Sequence, residues 1–179
     1  MGKTVPLTQR IKLLKLAARQ NMWIIEEDYE SEFRYKHRPI PALKGLDTFG
    51  KVIHIGYFNR TIFSVLRIGY MVLPTVEMAQ HITMIKAMTD RQDGIIDHAI
   101  LTKFIVEGHF LRHLRRMRLI YKKLQTKLIS LLKKHFGNEI RITSTDAGMH
   151  IIVWFLNAKH PENIPQLAKE IGMVIYAVD

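Results

Sequence analysis

Apolar residues along the chain fall into two patterns, short dense runs and long spaced stripes. Residues 52–58 (VIHIGYF) and 68–73 (IGYMVL) are dense runs rich in β-branched and aromatic side chains, the second stopped by Pro74. Both predict strands covered on each face. Residues 23–25 form a shorter strand that opens into a row of acids. Spaced stripes predict helices. Ile11, Leu14 and Ala18 share one face of a first helix, with Thr8 placed to cap its start and Asn21 suited to the left-handed conformation at its end. Residues 37–43, with Pro39 and Pro41, read as an ordered loop.

Thr75 is placed to cap a helix that turns Ala79, Ile82 and Ile85 inward, with Met78, Met84 and Met88 as adaptable packing. Residues 91–94 break it, and 98–106 form another helix closed by Gly108. From His109 the pattern is long and regular. Phe110, Leu114, Met117, Tyr121, Leu124, Leu128 and Leu132 recur at three- and four-residue steps, the mark of a helix of about seven turns. Gly137 and Asn138 end it. Residues 139–143 and 149–156 read as strands around a turn at 145–148. Pro161 and Pro165 open a short helix carrying Leu167 and Ile171, and 173–178 begin a further strand.

With 179 residues, 47% of them apolar, the chain has the means to bury a core, and its lack of cysteine excludes disulfides and thiolate metal sites. Its first residues, MGKTVPLTQR, hold no apolar core of signal-peptide length, and no run of about 18 apolar residues occurs, which predicts a soluble, cytoplasmic protein. The net charge of +11 is concentrated: residues 110–136 hold nine Lys and Arg and no acid. A solvated cationic face over an apolar seam explains that run. The alternative is a basic nucleic-acid-binding protein acting through Arg112, Arg115, Arg116 and Arg118. Membrane-surface binding fits less well, because the cations are spread round much of the helix.

Candidate chemistry gathers at strand ends, where α/β proteins bind ligands. Asn59, Arg60 and Thr61 form a polar turn between two buried strands, and Arg67 follows it. A cation held at the end of a buried strand meets an anion, because leaving it unpaired out of water costs several kcal/mol. The acids Glu26, Glu27, Asp28, Glu30 and Glu32, with Tyr29 among them, would line the same edge. Such a cluster also suits a divalent cation or an acid–base pair. His109 and His113 have a zinc-compatible spacing on a helix but no HExxH context.

Three stretches, WIIEEDYESEFRY at 23–35, YFNR at 57–60 and RIGY at 67–70, together resemble the aminotransferase-like domain of MocR-type transcription regulators in the GntR family. That domain has the fold of the pyridoxal-phosphate (PLP) enzymes of fold type I. The family's acid-acid-Tyr-Asp-Ser-Glu-Phe-Arg-Tyr run is matched at 27–35, its Thr-Phe-Ser-Lys turn at 57–60, and its Arg-Leu-Gly-Tyr strand at 67–70. The resemblance implies an α/β fold that is part of a fold-type I PLP-transferase. Residues 1–108 would be the C-terminal part of the large domain, and 109–179 the long connecting helix with an incomplete small domain. The preceding half of such a domain, which supplies the cofactor's phosphate loop and ring-stacking residue, has no counterpart in these residues.

The resemblance assigns cofactor-binding roles to four positions. Glu27 faces the pyridine nitrogen where aspartate is usual, Tyr29 the phenolic oxygen, and Arg67 the phosphate. Arg60 falls on the Schiff-base lysine. A guanidinium with a pKa above about 12 does not condense with an aldehyde as an amine does. Tyr57 replaces the hydroxyl residue three places earlier, which in the family helps hold the cofactor phosphate, and Asn59 replaces the serine next to the lysine. The expectation is therefore a non-catalytic, truncated effector-binding and dimerisation module, with pyridoxal phosphate held at most non-covalently through Arg60, Arg67 and Tyr29. The alternative is a PLP-dependent aminotransferase-type enzyme using a substitute base. The family further implies a homo-oligomer, and contact with DNA only through a winged helix-turn-helix part that lies outside this chain.

Overall fold

The computed structural model describes residues 5–28, 31–35, 40–90, 94–143, 146–156 and 163–177. Its first sheet joins β1 (Ile24–Asp28), β2 (Val52–Tyr57) and β3 (Gly69–Val72) in that order. β1 and β2 are parallel, from Ile24 opposite Val52 to Asp28 opposite Gly56, whereas β3 returns antiparallel with Gly69 opposite Tyr57. Side chains alternate across a pleated strand, and in β2 Val52, His54 and Gly56 are buried while Ile53, Ile55 and Tyr57 are half-buried. Along β1 and β2 one sheet face is thus sheltered. The other, which carries Ile25 at 68% exposure, is open. All four residues of β3 are exposed rather than covered on each face, and β3 is an edge strand of this sheet, paired with β2.

Gly56 makes the sheltered face possible. A Cβ there would run into the ring of Tyr70, which lies across the glycine between His54 and Phe58. At the other end of β2, Asp47 accepts from the amides of Phe49, Lys51 and Val52 at 2.9, 2.7 and 2.8 Å and so sets the strand's start.

α1 (Leu7–Arg19) precedes β1, and Asn21 adopts the left-handed conformation at φ 51° as expected. Pro6, not Thr8, occupies the cap position. Its carbonyl accepts from Gln9 and Arg10 at 3.0 Å each, and no side chain caps the helix. Leu14 and Ala17 are the buried pair, while Ile11 is exposed.

Glu26 is the polar centre of the sheltered face, an inward position that the strand alternation gives it rather than a place on the expected strand-end edge. Its carboxylate accepts from the amides of Leu43 and Lys44 at 2.7 and 3.1 Å, which caps α2 (Leu43–Leu46). It also meets His54 Nδ1 at 3.0 Å and Arg10 Nη1 at 3.4 Å. Burial opposes its charge, but the two amides and the His54 ring outweigh burial and hold Glu26 below the ordinary glutamate range.

α3 (Val76–Asp90) is capped as expected, Thr75 Oγ1 accepting from Met78 N at 3.1 Å; Ala79 and Ile82 are half-buried but Ile85 is exposed. α4 (Ile95–Val106) begins three residues before His98. Gly108, at φ 72°, turns the chain into α5 (His109–Phe136). The sheltered line of α5 follows Leu114, Met117 and Tyr121 and then Gln125, Ile129 and Leu132. Leu124 and Leu128, placed in the seam by sequence, are exposed instead. Keeping one direction on a 3.6-residue period takes four-residue steps here, which puts polar Gln125 on the sheltered side.

β4 (Ile140–Thr143) and β5 (Ile152–Phe155) form an antiparallel pair, with Trp154 Nε1 donating to Thr143 Oγ1 at 3.0 Å. Of the expected turn at 145–148, the described part docks on the loop after β1. Gly148 N donates to Phe33 O at 2.8 Å, and Tyr35 N to Asp146 O at 3.0 Å. α6 (Ile164–Glu170) has Pro165 in its first turn and buries Ala168, leaving Leu167 and Ile171 exposed. Pro161 lies outside the described residues. Residues 173–177 form no strand, since no described strand lies beside them to pair with. Among the described residues no helix is long and apolar enough to cross a membrane.

Phe33 is 1% exposed and meets Tyr121 edge-on at 5.2 Å. Phe33→Ala is expected to cost about 3–5 kcal/mol in urea unfolding; a cost under about 1 kcal/mol would show that this contact does not hold α5 to the strand-end loop. Because the folded state depresses the Glu26 pKa, its contribution is full above the ordinary value of 4.5 and is lost as pH falls through the folded value. Glu26→Gln should remove about 2 kcal/mol near neutrality and flatten the acid limb of stability against pH. An unchanged acid limb would contradict this role.

Candidate functional site

The parallel register brings the carboxyl ends of β1 and β2 to one edge. Beyond β2 the chain closes a tight turn in which Thr61 N and Ile62 N donate to Phe58 O at 3.2 and 3.0 Å, joined by Thr61 Oγ1 at 3.1 Å. Thr61 is buried, and its carbonyl lies 2.8 Å from His113 Nε2 on α5. Phe58 packs on Phe110 at 5.7 Å. The turn is therefore held from inside itself and from α5. It presents Arg60 at the surface and leaves Asn59 Oδ1 buried without a hydrogen-bond partner among the described residues.

β3 returns to the same edge. Phe58 N donates to Ile68 O at 3.0 Å, which extends the ladder one step beyond Tyr57 and Gly69 and brings Arg67 to the end of the sheet from which the 59–60 turn leaves. Arg67 is exposed.

The acids divide by strand alternation. Glu26 points into the sheltered face and belongs to the fold. Glu27 lies on the open face beside Ile55, and its carboxylate accepts from the Tyr57 hydroxyl. What shelter Tyr57 has, and then the Glu27 charge beside it, raise the Tyr57 phenol above its ordinary value. Asp28 closes the strand by accepting from Ser31 N and Ser31 Oγ at 3.2 and 2.6 Å. The Tyr70 phenol is also raised, by burial first and then by the charges of Glu32 and Asp28.

Of the four positions singled out in the sequence, Glu27 lies near the carboxyl end of β1, Arg60 in the turn after β2 and Arg67 just before β3, all toward one end of the sheet, and Tyr29 lies outside the described residues, as does Glu30. His109 and His113 have separate tasks. His109 sits 3.1 Å from Glu107 and 2.8 Å from Arg112, while His113 serves the Thr61 carbonyl. Among the described residues no three acids or histidines are grouped to hold a metal ion. Sequence reasoning named His113 for zinc spacing and Tyr57 as a replaced hydroxyl position, and missed the roles they take, at the Thr61 carbonyl and beside Glu27. His113 had its place on the helix one step from Leu114 as a signal, and Tyr57 had only its alternation with Gly56.

An anion with one or two planar oxygen pairs suits this edge, since guanidinium groups bind such anions bidentately. A phosphate-bearing aromatic ring fits less completely, because the Glu27 carboxylate is already shared with Tyr57.

No family model matches the chain. The probable rhizopine catabolism regulatory protein MocR of Rhizobium meliloti is 36% identical to it over 173 residues, covering 97% of this chain and 35% of that protein. The uncharacterized HTH-type transcriptional regulator YhdI of Bacillus subtilis is 33% identical over 178 residues, covering 99% and 38%. Among solved structures, an archaeal alanine:glyoxylate aminotransferase superposes with a TM-score of 0.86 at 25% identity, over 97% of this chain and 43% of its own. Kynurenine aminotransferase of Pyrococcus horikoshii superposes with a TM-score of 0.85 at 24% identity, over the same shares. The chain thus spans less than half the length of each of these proteins. It carries the α/β fold of the type I, PLP-dependent aminotransferases, and its homologues are MocR-type regulators of the GntR family.

Proposed function

We propose that this chain is an effector-binding and dimerisation module built on an aminotransferase scaffold, without transaminase chemistry. The observation that supports this reading is Arg60, presented by the clamped turn at the end of β2 where the resemblance puts the covalent anchor. A delocalised, permanently charged guanidinium has no free amine to condense with an aldehyde. Arg60 and Arg67 at one strand end instead suit a phosphate or carboxylate held by charge and hydrogen bonds. Pyridoxal phosphate, when bound, supplies an aldehyde and an electron-accepting ring. Here Arg60, Arg67 and Tyr29 would hold it without a covalent bond, and Glu27 would have to give up the Tyr57 hydroxyl to face its ring. The reading divides the chain at 108/109, with the strand-end site in the first part and α5 leading into the second.

Self-association belongs to the same proposal. The open face of the first sheet carries exposed Ile25, and β1 and β3 are both edge strands of that sheet. Edges and apolar faces of this kind are covered in stable proteins. Sedimentation velocity should give a dimer or larger species, and a monomer across the working concentration range would contradict the dimerisation part.

Titration of the chain with pyridoxal phosphate beside an Arg60→Lys variant tests the site. The variant should gain an absorbance band that borohydride fixes covalently, while the parent chain binds reversibly or not at all. A borohydride-fixed adduct in the parent chain, or steady amino-group exchange by it, would overturn the non-catalytic reading. Silence in both would show that the strand-end site does not accept this cofactor.

A further inference from the structure

We propose that the outward face of α5 is a docking surface for the phosphate backbone of duplex DNA. Nine of the eleven net positive charges arise on this helix, which holds no acid. They are not evenly spread. At about 100° per residue, Arg116, Lys123, Lys127 and Lys134 fall within about 40° of the direction opposite buried Leu114, and all four are exposed. Arg112 heads the same line but is turned back, its Nη2 lying 2.8 Å from His109 Nδ1 and 3.4 Å from the Glu107 carbonyl. The four outward cations span about 27 Å at about 1.5 Å per residue.

The chemistry of the line fits phosphates. Its middle is a shallow depression lined by Leu119, Lys122, Lys123, Thr126, Lys127 and Ser130. Thr126 Oγ1 and Ser130 Oγ donate to the Lys122 and Lys127 carbonyls at 2.8 Å each, which leaves the ammonium groups as the donors for a ligand. A duplex offers one negative charge about every 1.7 Å of its axis, so a straight row of cations finds partners along it without a set register. The line has no aromatic side chain on which an unpaired base would stack, and its one apolar residue, Leu119, is too little to enter a lipid surface. Relatives of the chain are HTH-type transcriptional regulators, proteins in whose plan a duplex lies close at hand. This surface adds a direct contact to DNA beyond the part expected to read it, and does not depend on the ligand of the strand-end site.

The test uses the full chain and a fluorescein-labelled duplex of arbitrary sequence, followed by anisotropy between about 50 and about 200 mM salt. Affinity should fall with salt at a logarithmic slope of about −4, as four phosphate contacts require. Lys123→Gln with Lys127→Gln should weaken binding at least about tenfold at the lower salt and reduce the slope by about 2. A control with the same charge loss on α1, Lys12→Gln with Lys15→Gln, should change affinity less than about threefold. Equal losses in both double variants would overturn the proposal in favour of diffuse charge, and absence of binding at the lower salt would overturn it outright. Binding of the chain to phosphatidylserine–phosphatidylcholine vesicles through Lys123 and Lys127, without duplex binding, would reassign the surface to a membrane.

Discussion

His113 reaches from α5 to the Thr61 carbonyl, and along the same side of the helix Phe110 meets Phe58, Tyr121 meets Phe33, and Arg118 Nε donates to the Glu32 carbonyl at 2.9 Å. These contacts fix the two loops that leave the carboxyl ends of β1 and β2. A strand-end loop with nothing behind it opens easily. Here two aromatic edges and two hydrogen bonds from one rigid element set where Arg60 and the acid-bearing loop stand. The loop after β1 is also held by the Asp146 and Gly148 backbone. The chain that follows α5 therefore returns to brace the loop that precedes it, and the strand-end edge depends on both halves of the sequence.

Strand β1 shows how one pleat separates structure from chemistry. Two glutamates stand side by side, and the alternation sends Glu26 to the sheltered face and Glu27 to the open one. Glu26 spends its charge on two backbone amides, a histidine and an arginine, all within the fold. Hydrogen bonds to a charged group contribute more than neutral ones, and a charge so engaged has little left for a ligand. Among the described residues Glu27 meets the Tyr57 phenol and stays exposed, so that is the partner an incoming group would displace.

Much of this was legible in the sequence because it depends on local pattern. The dense runs at 52–58 and 68–73 became β2 and β3, the stripe from Phe110 became α5, and Asn21, Thr75 and Gly137 acted as caps and stops. What was not legible depends on partners distant in the chain. Apolar content alone does not say that β3 would be an edge strand, nor that residues 173–177 would pair with no strand among the described residues. Leu124 looked like seam because it is apolar, whereas direction along a 3.6-residue period decides shelter and favours Gln125. Of the site, the motifs placed Glu27, Arg60 and Arg67 toward strand ends, which is where the register puts them. The clamp by His113 did not, because it joins residues 52 positions apart.

The same reasoning bears on what an arginine at the end of β2 changes on the proposed reading. A lysine anchor makes occupancy nearly permanent, since release requires a covalent bond to break. A guanidinium leaves occupancy to an equilibrium set by charge, hydrogen bonds and the concentration of the anion. Each factor of ten in that equilibrium corresponds to about 1.4 kcal/mol, a range that one bidentate contact from Arg60 or Arg67 covers. A catalyst loses by such an exchange, because its reactive group departs. A module that reports the level of a small anion gains by it, because release is what lets the level be read. The clamped turn suits that use, since loops already held by α5 need little ordering when a ligand arrives, and less of the binding free energy is lost to immobilising them.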